Sequence, residues 1–271
     1  MREAMERVRG ILDEASRIEI EKMLLVVEQA DENVMVLPHV HLRANQGMGN
    51  TTFGKFYAEL IKKGKMFGSH DVRYLELSYP YSAASRDYEL FFQSLREAAE
   101  TQNLFWGVVL VSLDEWKRAN VKKDEAFYQL LRFVKKNELS VRFVFQTQEK
   151  QGFSDIVSEV LREEVDICTF SLAGPNEEYV WKFLCDEFAK EGYTITQEGK
   201  SAMLGLVYDD ACKTLVGKRG YPALQEIKKR LQYECAASGR KDINEMHVNE
   251  VKREMSLKSS GNKERKVGFA V

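Results

Sequence analysis

The chain has 271 residues and a formal net charge of −2, with 44% hydrophobic and 30% charged residues. This length supports one large or two small domains with their own cores, and the near-neutral balance excludes a molecule-wide field that would attract nucleic acid. The charged N-terminus lacks the apolar run of a signal peptide, and no segment reaches the length of a membrane span. We therefore expect a soluble, cytoplasmic protein without a membrane partner.

Cysteine usage points to the same compartment. The four cysteines are widely spaced and form no C-x-x-C pair, which argues against both a zinc site and a disulfide scaffold. They are Cys168, Cys185, Cys212 and Cys235. We expect reduced thiols.

The first thirty residues repeat apolar positions at helical spacing, which predicts one or two amphipathic helices. These positions are Met5, Val8, Ile11, Leu12, Ile18, Ile20, Met23, Leu24 and Val27. We assign residues 1–30 to N-terminal helices that precede the core.

Four short apolar runs follow, separated by helical stretches: HVHLRA, VRYLELS, GVVLVSL and VRFVFQT. Strands that alternate with helices predict a parallel sheet covered on both faces, so residues 31–174 are expected to form an α/β core. After SLAGPNEEYV the strand signals stop, and helices are predicted near 176–190, 197–213, 221–237 and 243–255, the first capped by Asn176. Residues 175–255 are thus expected to be a helical lid, and the basic residues 256–271 a flexible tail.

The stretch RANQGMGNTT has the character of a phosphate-binding loop running into a helix. The pattern G-x-x-x-x-G-K-[ST] places its second glycine at Gly49 and its magnesium-binding hydroxyl at Thr51, whereas Ala44 replaces the first glycine and Asn50 replaces the lysine. Glycines let backbone N–H groups face phosphate oxygens, and the helix N-terminus adds positive potential. A purely structural turn is the alternative. The predicted nucleotide-binding residues here are Gln46, Gly47, Met48, Gly49, Asn50, Thr51 and Thr52.

A second signature lies at GVVLVSLDEW, where an apolar strand ends in Asp114 and Glu115. The carboxyl ends of strands are where open α/β sheets bind ligands. In phosphoryl-transfer sites the aspartate holds magnesium and the glutamate polarises the attacking water, so we predict these two residues as the catalytic pair. His39 and His41 alternate on a strand, but no third ligand stands at a telling spacing, so a metal site there is the weaker interpretation.

In this order, the loop, the acidic pair and the flanking elements resemble AAA+ ATPases over residues 15–255, most closely the branch containing red-type rubisco activases and stage V sporulation protein K. The resemblance implies a P-loop AAA+ fold, a three-layer parallel-sheet core followed by a small helical lid. It implies ATP or ADP as cofactor, with magnesium held by Thr51 and Asp114. It also places sensor 1 near Gln146 to Gln148, in VRFVFQTQ, and Arg219 beside the sensor-2 position.

The departures from the family pattern fall on charged positions. Asn50 replaces the phosphate-binding lysine, and Lys55, one turn further along the helix, is expected to point away from the loop. In LREEVDICTF, Glu164 stands at the arginine-finger position with Arg162 nearby. In VGKRGYP the sensor-2 position falls on Gly220, which displaces Arg219 by one residue. The pore-like segment keeps Tyr79 and Tyr81 but not its glycine.

These features lead to three hypotheses. The first is a degenerate AAA+ ATPase with weak or lost nucleotide binding and impaired hydrolysis, acting as a regulatory or structural subunit of a protein-remodelling ring built from itself or another AAA+ protein. The second is an active AAA+ ATPase that remodels proteins. The third is a DNA-associated adaptor of clamp-loader or transposition type, supported in the sequence by the basic tail alone.

Overall fold

The computed structural model describes residues 1–30, 34–68, 70–80, 85–100, 107–113, 124–148, 153–208 and 220–261. The chain divides into two compact units, Met1–Ala173 and Gly174–Val271. No helix in the described part of the chain is both long and apolar enough to cross a membrane.

The first unit is built on a five-stranded, wholly parallel sheet with strand order β2-β3-β4-β1-β5. Its strands are β1 (His39–Arg43), β2 (Arg73–Ser78), β3 (Gly107–Ser112), β4 (Val141–Thr147) and β5 (Ile167–Ser171). Because β4 lies between β1 and β3, the strand that enters the phosphate loop is separated from the strand that leads to the acidic pair by one intervening strand.

Four of the strands coincide with the predicted apolar runs, and the fifth is an addition. β5 follows the charged residues REEVD and buries only Phe170 fully, so its sequence carries little strand signal. Its pairing with β1 provides the hydrogen bonds that the local sequence does not predict, from His39 opposite Ile167 to Arg43 opposite Ser171.

The described residues of this unit also form the helices α1 (Arg2–Arg9), α2 (Glu14–Gln29), α3 (Asn50–Lys63), α4 (Ser85–Glu100), α5 (Glu125–Lys136) and α6 (Phe153–Glu164). The α1 helix packs on α3, and α2 packs on α3 and β5. Met5, Val8, Ile20 and Val27 are buried there. The N-terminal helices lie in the same compact unit as the sheet.

The second unit contains α7 (Glu177–Lys190), α8 (Gln197–Tyr208), α9 (Tyr221–Ala237) and α10 (Glu245–Gly261) around one apolar core. Asn176 caps α7, its side-chain oxygen accepting from the Tyr179 N–H at 2.9 Å. A parallel pair of two-residue strands, β6 (Thr194–Ile195) and β7 (Asp242–Ile243), was not predicted because so short a strand has no readable period. The α10 helix ends at Gly261, six residues beyond the predicted boundary at 255, because adding residues to a formed helix is easier than starting one.

Candidate functional site

The phosphate loop connects the carboxyl end of β1 to the first turn of α3. Two of its glycines lie in the left-handed region, Gly47 at φ 83° and Gly49 at φ 104°, where a residue with a Cβ atom would be strained. Gly49 is the N-cap of α3 and has no side chain to occupy the first-turn amides. The loop therefore leaves a helix N-terminus open toward an anion.

The side chains of the loop divide between solvent and core. Gln46 and Thr51 are exposed, whereas Met48 is 3% exposed and anchors the loop in the interior. The Met48 N–H donates to the Asn45 carbonyl at 3.2 Å. Thr52 is half-buried beside Thr51. The structure thus places Thr51 where its hydroxyl is accessible at the start of α3.

Asn50 is the first residue of α3 and is half-buried. Its side-chain oxygen Oδ1 is buried and has no hydrogen-bond partner among the residues that the structure describes. A buried acceptor without a partner costs about 1–3 kcal/mol. The position that carries a cation in the related family therefore holds a neutral amide whose acceptor is left unpaired.

Gln146 connects the loop to the neighbouring strands. It is 1% exposed, its Nε2 donates to the Ala44 carbonyl at 2.9 Å, and its Oε1 accepts from the Ser112 hydroxyl at 2.9 Å. The Leu113 N–H also donates to the Gln146 carbonyl at 2.8 Å. Gln146 therefore connects the first loop residue to the end of β3. Gln148 is half-buried and lies two residues further along the chain.

The predicted acidic pair comes directly after β3 and Leu113 in the sequence. Asp114 and Glu115 lie outside the described residues, as does Arg219, so their roles stay predictions. The strand that leads to the pair ends at Ser112, and Leu113 after it is fully buried. Because the sheet is parallel, this end of β3 lies on the same edge as the phosphate loop.

On the α6 side of the sheet, His41 is fully buried and both its ring nitrogens have partners. Nδ1 lies 2.8 Å from the Ser158 hydroxyl and Nε2 lies 2.8 Å from the Thr147 hydroxyl. Burial, followed by the nearby charges of Arg43 and Arg162, lowers the pKa of His41 to about 3. His41 is thus a neutral, hydrogen-bonded core residue.

His39 has the same character at the other end of β1. Its Nδ1 accepts from the Phe143 N–H at 3.0 Å, and burial followed by the charge of Arg142 lowers its pKa to about 3. No group of three or more metal-ligating side chains occurs in the described part of the chain. The two histidines are explained by packing and hydrogen bonding.

A cleft of about 380 Å³ lies beside the first turns of α3. It is lined by Met1, Glu3, Ala4, Arg7, Thr51, Thr52, Lys55, Phe56 and Glu59. Lys55 lines this cleft together with Thr51 and Thr52, because residues four apart share a helix face, whereas no residue from Asn45 to Gly49 lines it. Lys55 and Arg7 bring positive charge to the cleft, and Glu3 and Glu59 offset it.

The two remaining predicted features, the arginine-finger and pore positions, have partners within the same chain. Glu164, at the arginine-finger position, pairs with Lys135 of the same chain at 2.5 Å, and both line a cleft at the amino edge of the sheet with Arg142. Tyr79 is 2% exposed and makes edge-to-face contacts with Phe91 and Phe127, so it is a core residue. Tyr81 lies outside the described residues.

No protein-family model matches the chain, and no curated protein matches it either. Solved structures do. The RuvB Holliday junction branch migration motor of Thermotoga maritima aligns with 88% of this chain and 68% of its own, with a TM-score of 0.58 and 15% identity. The Aeropyrum pernix ORC2 protein, solved in ADPNP–ADP complexes, aligns with 90% of this chain and 68% of its own, with a TM-score of 0.56 and 14% identity.

The chain has the AAA+ P-loop fold. At these identities the likeness concerns the fold alone, and it agrees with the parallel sheet and the glycine loop described above. Within the AAA+ fold, the loop, Gln146 and the end of β3 meet at one edge of the sheet, and that edge is the candidate nucleotide site.

Proposed function

We propose that this AAA+-fold protein is a degenerate ATPase, which binds ATP or ADP weakly at residues 46–52 and has impaired hydrolysis. It acts in the cytoplasm as a regulatory or structural subunit of a protein-remodelling AAA+ assembly, in the manner of the rubisco activase and stage V sporulation protein K branch that its sequence resembles. One observation carries the proposal: a neutral side chain with an unpaired acceptor, Asn50, stands in the first turn of the helix that meets the phosphates.

The backbone of the loop fits a phosphate group. The left-handed Gly47 and Gly49 and the uncapped start of α3 direct N–H donors to one place, and Thr51 with the predicted Asp114 would hold magnesium. Bound ATP would supply a transferable γ-phosphoryl group there. These features support a phosphate cradle at residues 46–52.

The charges of the site fit binding better than catalysis. Hydrogen bonds from a cation to phosphate are roughly twice as strong as neutral ones, and Asn50 offers only an amide donor. Phosphoryl transfer depends on stabilising charge that develops in the transition state, so the loss of a cation affects hydrolysis more than binding. Glu164, which pairs with Lys135 in the same chain, offers no positive charge to a neighbouring subunit.

Asn50→Lys tests the proposal. Restoring the cation should strengthen the binding of ADP with magnesium by about tenfold or more, since a hydrogen bond to a charged group contributes about 1.5–3 kcal/mol. Isothermal titration calorimetry measures the change, and Gln129→Lys, on an exposed face of α5, is the charge-matched control. An unchanged affinity in a folded Asn50→Lys variant would contradict the proposal that this loop is a phosphate cradle.

A working ATPase is the second candidate, and the position of Lys55 favours it. Lys55 lines the cleft beside Thr51 and Thr52, where it could replace the missing lysine. Steady ATP turnover by the wild-type protein that is abolished by both Lys55→Met and Glu115→Gln would establish this function and overturn the first. Gel filtration with and without ATP would show whether nucleotide drives assembly in either case.

The DNA-associated adaptor has one external point of support, since RuvB is a Holliday junction motor. Salt-dependent DNA binding that disappears when residues 256–271 are deleted would favour it. Absence of DNA binding at low salt would remove it.

A further inference from the structure

Arg43 is the last residue of β1 and directly precedes the phosphate loop. Its guanidinium reaches across to α6, where Nη2 lies 2.8 Å from Asp155 Oδ1 and donates to Ser158 Oγ at 3.0 Å. Its backbone is also fixed, because the carbonyl accepts from the Leu172 N–H at 2.9 Å. The residue at the root of the loop is thus bound to α6 by its side chain and to the chain after β5 by its backbone.

A chain of hydrogen bonds continues from Ser158 into the sheet. Ser158 lies 2.8 Å from His41 Nδ1, His41 Nε2 lies 2.8 Å from Thr147 Oγ1, and Thr147 Oγ1 lies 3.1 Å from Ser154 Oγ. Arginine can only donate, so Ser158 accepts from Arg43. A neutral His41 donates from one ring nitrogen and accepts at the other, so it is hydrogen-bonded to both Ser158 and Thr147 in either tautomer.

The residues of this hydrogen-bond network differ in burial. His41, Ser154 and Ser158 are at most 5% exposed, whereas the side chain of Asp155 is 71% exposed. Arg43 Nε is buried and has no partner within the described residues. An unpaired buried donor costs about 1–3 kcal/mol.

We propose that Arg43 is a positioning residue for the phosphate loop. Its attachment to Asp155 and Ser158 makes the arrangement of residues 44–49 follow the position of α6, the helix that also carries Arg162 and Glu164. Contacts made by α6 in an assembly therefore change phosphate affinity in the same chain without touching the nucleotide. The affinity part of this inference rests on the proposed nucleotide-binding function.

The first test needs no nucleotide. Asp155→Asn removes the charge that holds Arg43 and keeps the shape of the side chain, and Glu163→Gln makes the same charge change at an exposed position of α6. Hydrogen–deuterium exchange of residues 44–52 should be about two- to fivefold faster in Asp155→Asn than in Glu163→Gln, the range expected for the loss of a partly exposed ion pair. Exchange of the α5 amides should be the same in both.

The second test measures affinity. In an Asn50→Lys background, Arg43→Met should weaken the binding of ADP with magnesium severalfold, and Arg43→Lys, which keeps a cation within reach of Asp155, should restore part of the loss. Equal loop exchange in Asp155→Asn and Glu163→Gln would overturn the positioning role whatever the affinities. Faster loop exchange without ADP binding by any variant would retain the positioning of the loop and reject the nucleotide function.

Discussion

Buried polar groups differ in their hydrogen bonding between the amino ends of the sheet strands, called here the amino edge, and the carboxyl ends, called the carboxyl edge. At the amino edge, Arg142 is 5% exposed and its guanidinium donates to the carbonyls of Leu37, Glu138 and Val141, while the Tyr57 hydroxyl donates to the Pro38 carbonyl. At the carboxyl edge, Asn50 Oδ1 and Arg43 Nε are both buried and have no partner among the described residues.

This difference is the one expected between a structural edge and a candidate ligand site. Paired polar groups stabilise a fold, whereas groups left unpaired at the end of a parallel sheet are expected where a ligand or a partner completes the site. Removal of a polar side chain should therefore lower the free energy of unfolding at the amino edge, and leave it unchanged or raise it at the carboxyl edge.

The largest effect is expected at the amino edge. Arg142→Met would leave three carbonyls without their donor in a buried environment, so the free energy of unfolding should fall by about 3 kcal/mol. Urea denaturation measures this loss. Arg132→Met, at a side chain that is 73% exposed, should change stability by less than about 0.5 kcal/mol, and equal losses at the two positions would remove the contrast.

Lowering the pH should reduce the free energy of unfolding through His39 and His41. The folded-state pKa values of His39 and His41 lie near 3, below the ordinary value of 6.5, so the unfolded chain binds protons first as the pH falls. Each histidine therefore supports stability fully above pH 6.5, and that support declines by about 1.4 kcal/mol per pH unit between pH 6.5 and 3.

Urea denaturation at pH 6.5, 5.5 and 4.5 measures this slope. His41→Gln should flatten the slope by the share of one histidine. A His41→Gln protein with the wild-type slope would show that His41 is not held neutral.

At the carboxyl edge, removing an unpaired group should not weaken the fold. Asn50→Ala is expected to leave the free energy of unfolding unchanged or to raise it by up to about 1 kcal/mol, because no hydrogen bond of Oδ1 is lost and alanine favours the helix. The matched control is Asn176→Ala, which removes the α7 cap and should cost about 1 kcal/mol. A clear loss for Asn50→Ala would mean that its oxygen has a structural partner.

The smallest effect is expected for the ion pair at the arginine-finger position. Glu164→Gln removes a charge from a pair whose side chains are 33% and 48% exposed, so stability should change by less than about 1 kcal/mol. Thermal denaturation at low and high salt measures the effect. A loss well above that range would make Glu164 part of the amino-edge structure rather than a surface residue.

The local sequence carries enough information for most of the fold. The period and apolar content of four strands, the glycine loop and the capped helix at Asn176 each depend on neighbours within a few residues, and each matches the structure. β5, β6 and β7 have too little local signal, since pairing partners elsewhere in the chain determine them.

Parts of the candidate site lay beyond sequence reasoning for the same reason. Gln146 reaches Ala44 across 102 positions, and His41 reaches Ser158 across 117, distances over which no spacing pattern extends. The four-residue interval from Thr51 to Lys55 is readable in the sequence, and it agrees with the shared helix face on which both residues line the cleft beside α3.

The place of β4 between β1 and β3 also sets a length scale. Two strand spacings of about 4.8 Å put the strand before the loop and the strand before the acidic pair about 10 Å apart, and the Gln146 amide spans this interval through Ala44 and Ser112. A ligand that contacts the ends of both strands must therefore span about 10 Å. Side-chain substitutions can change the charge along this interval, but its length is a property of the backbone.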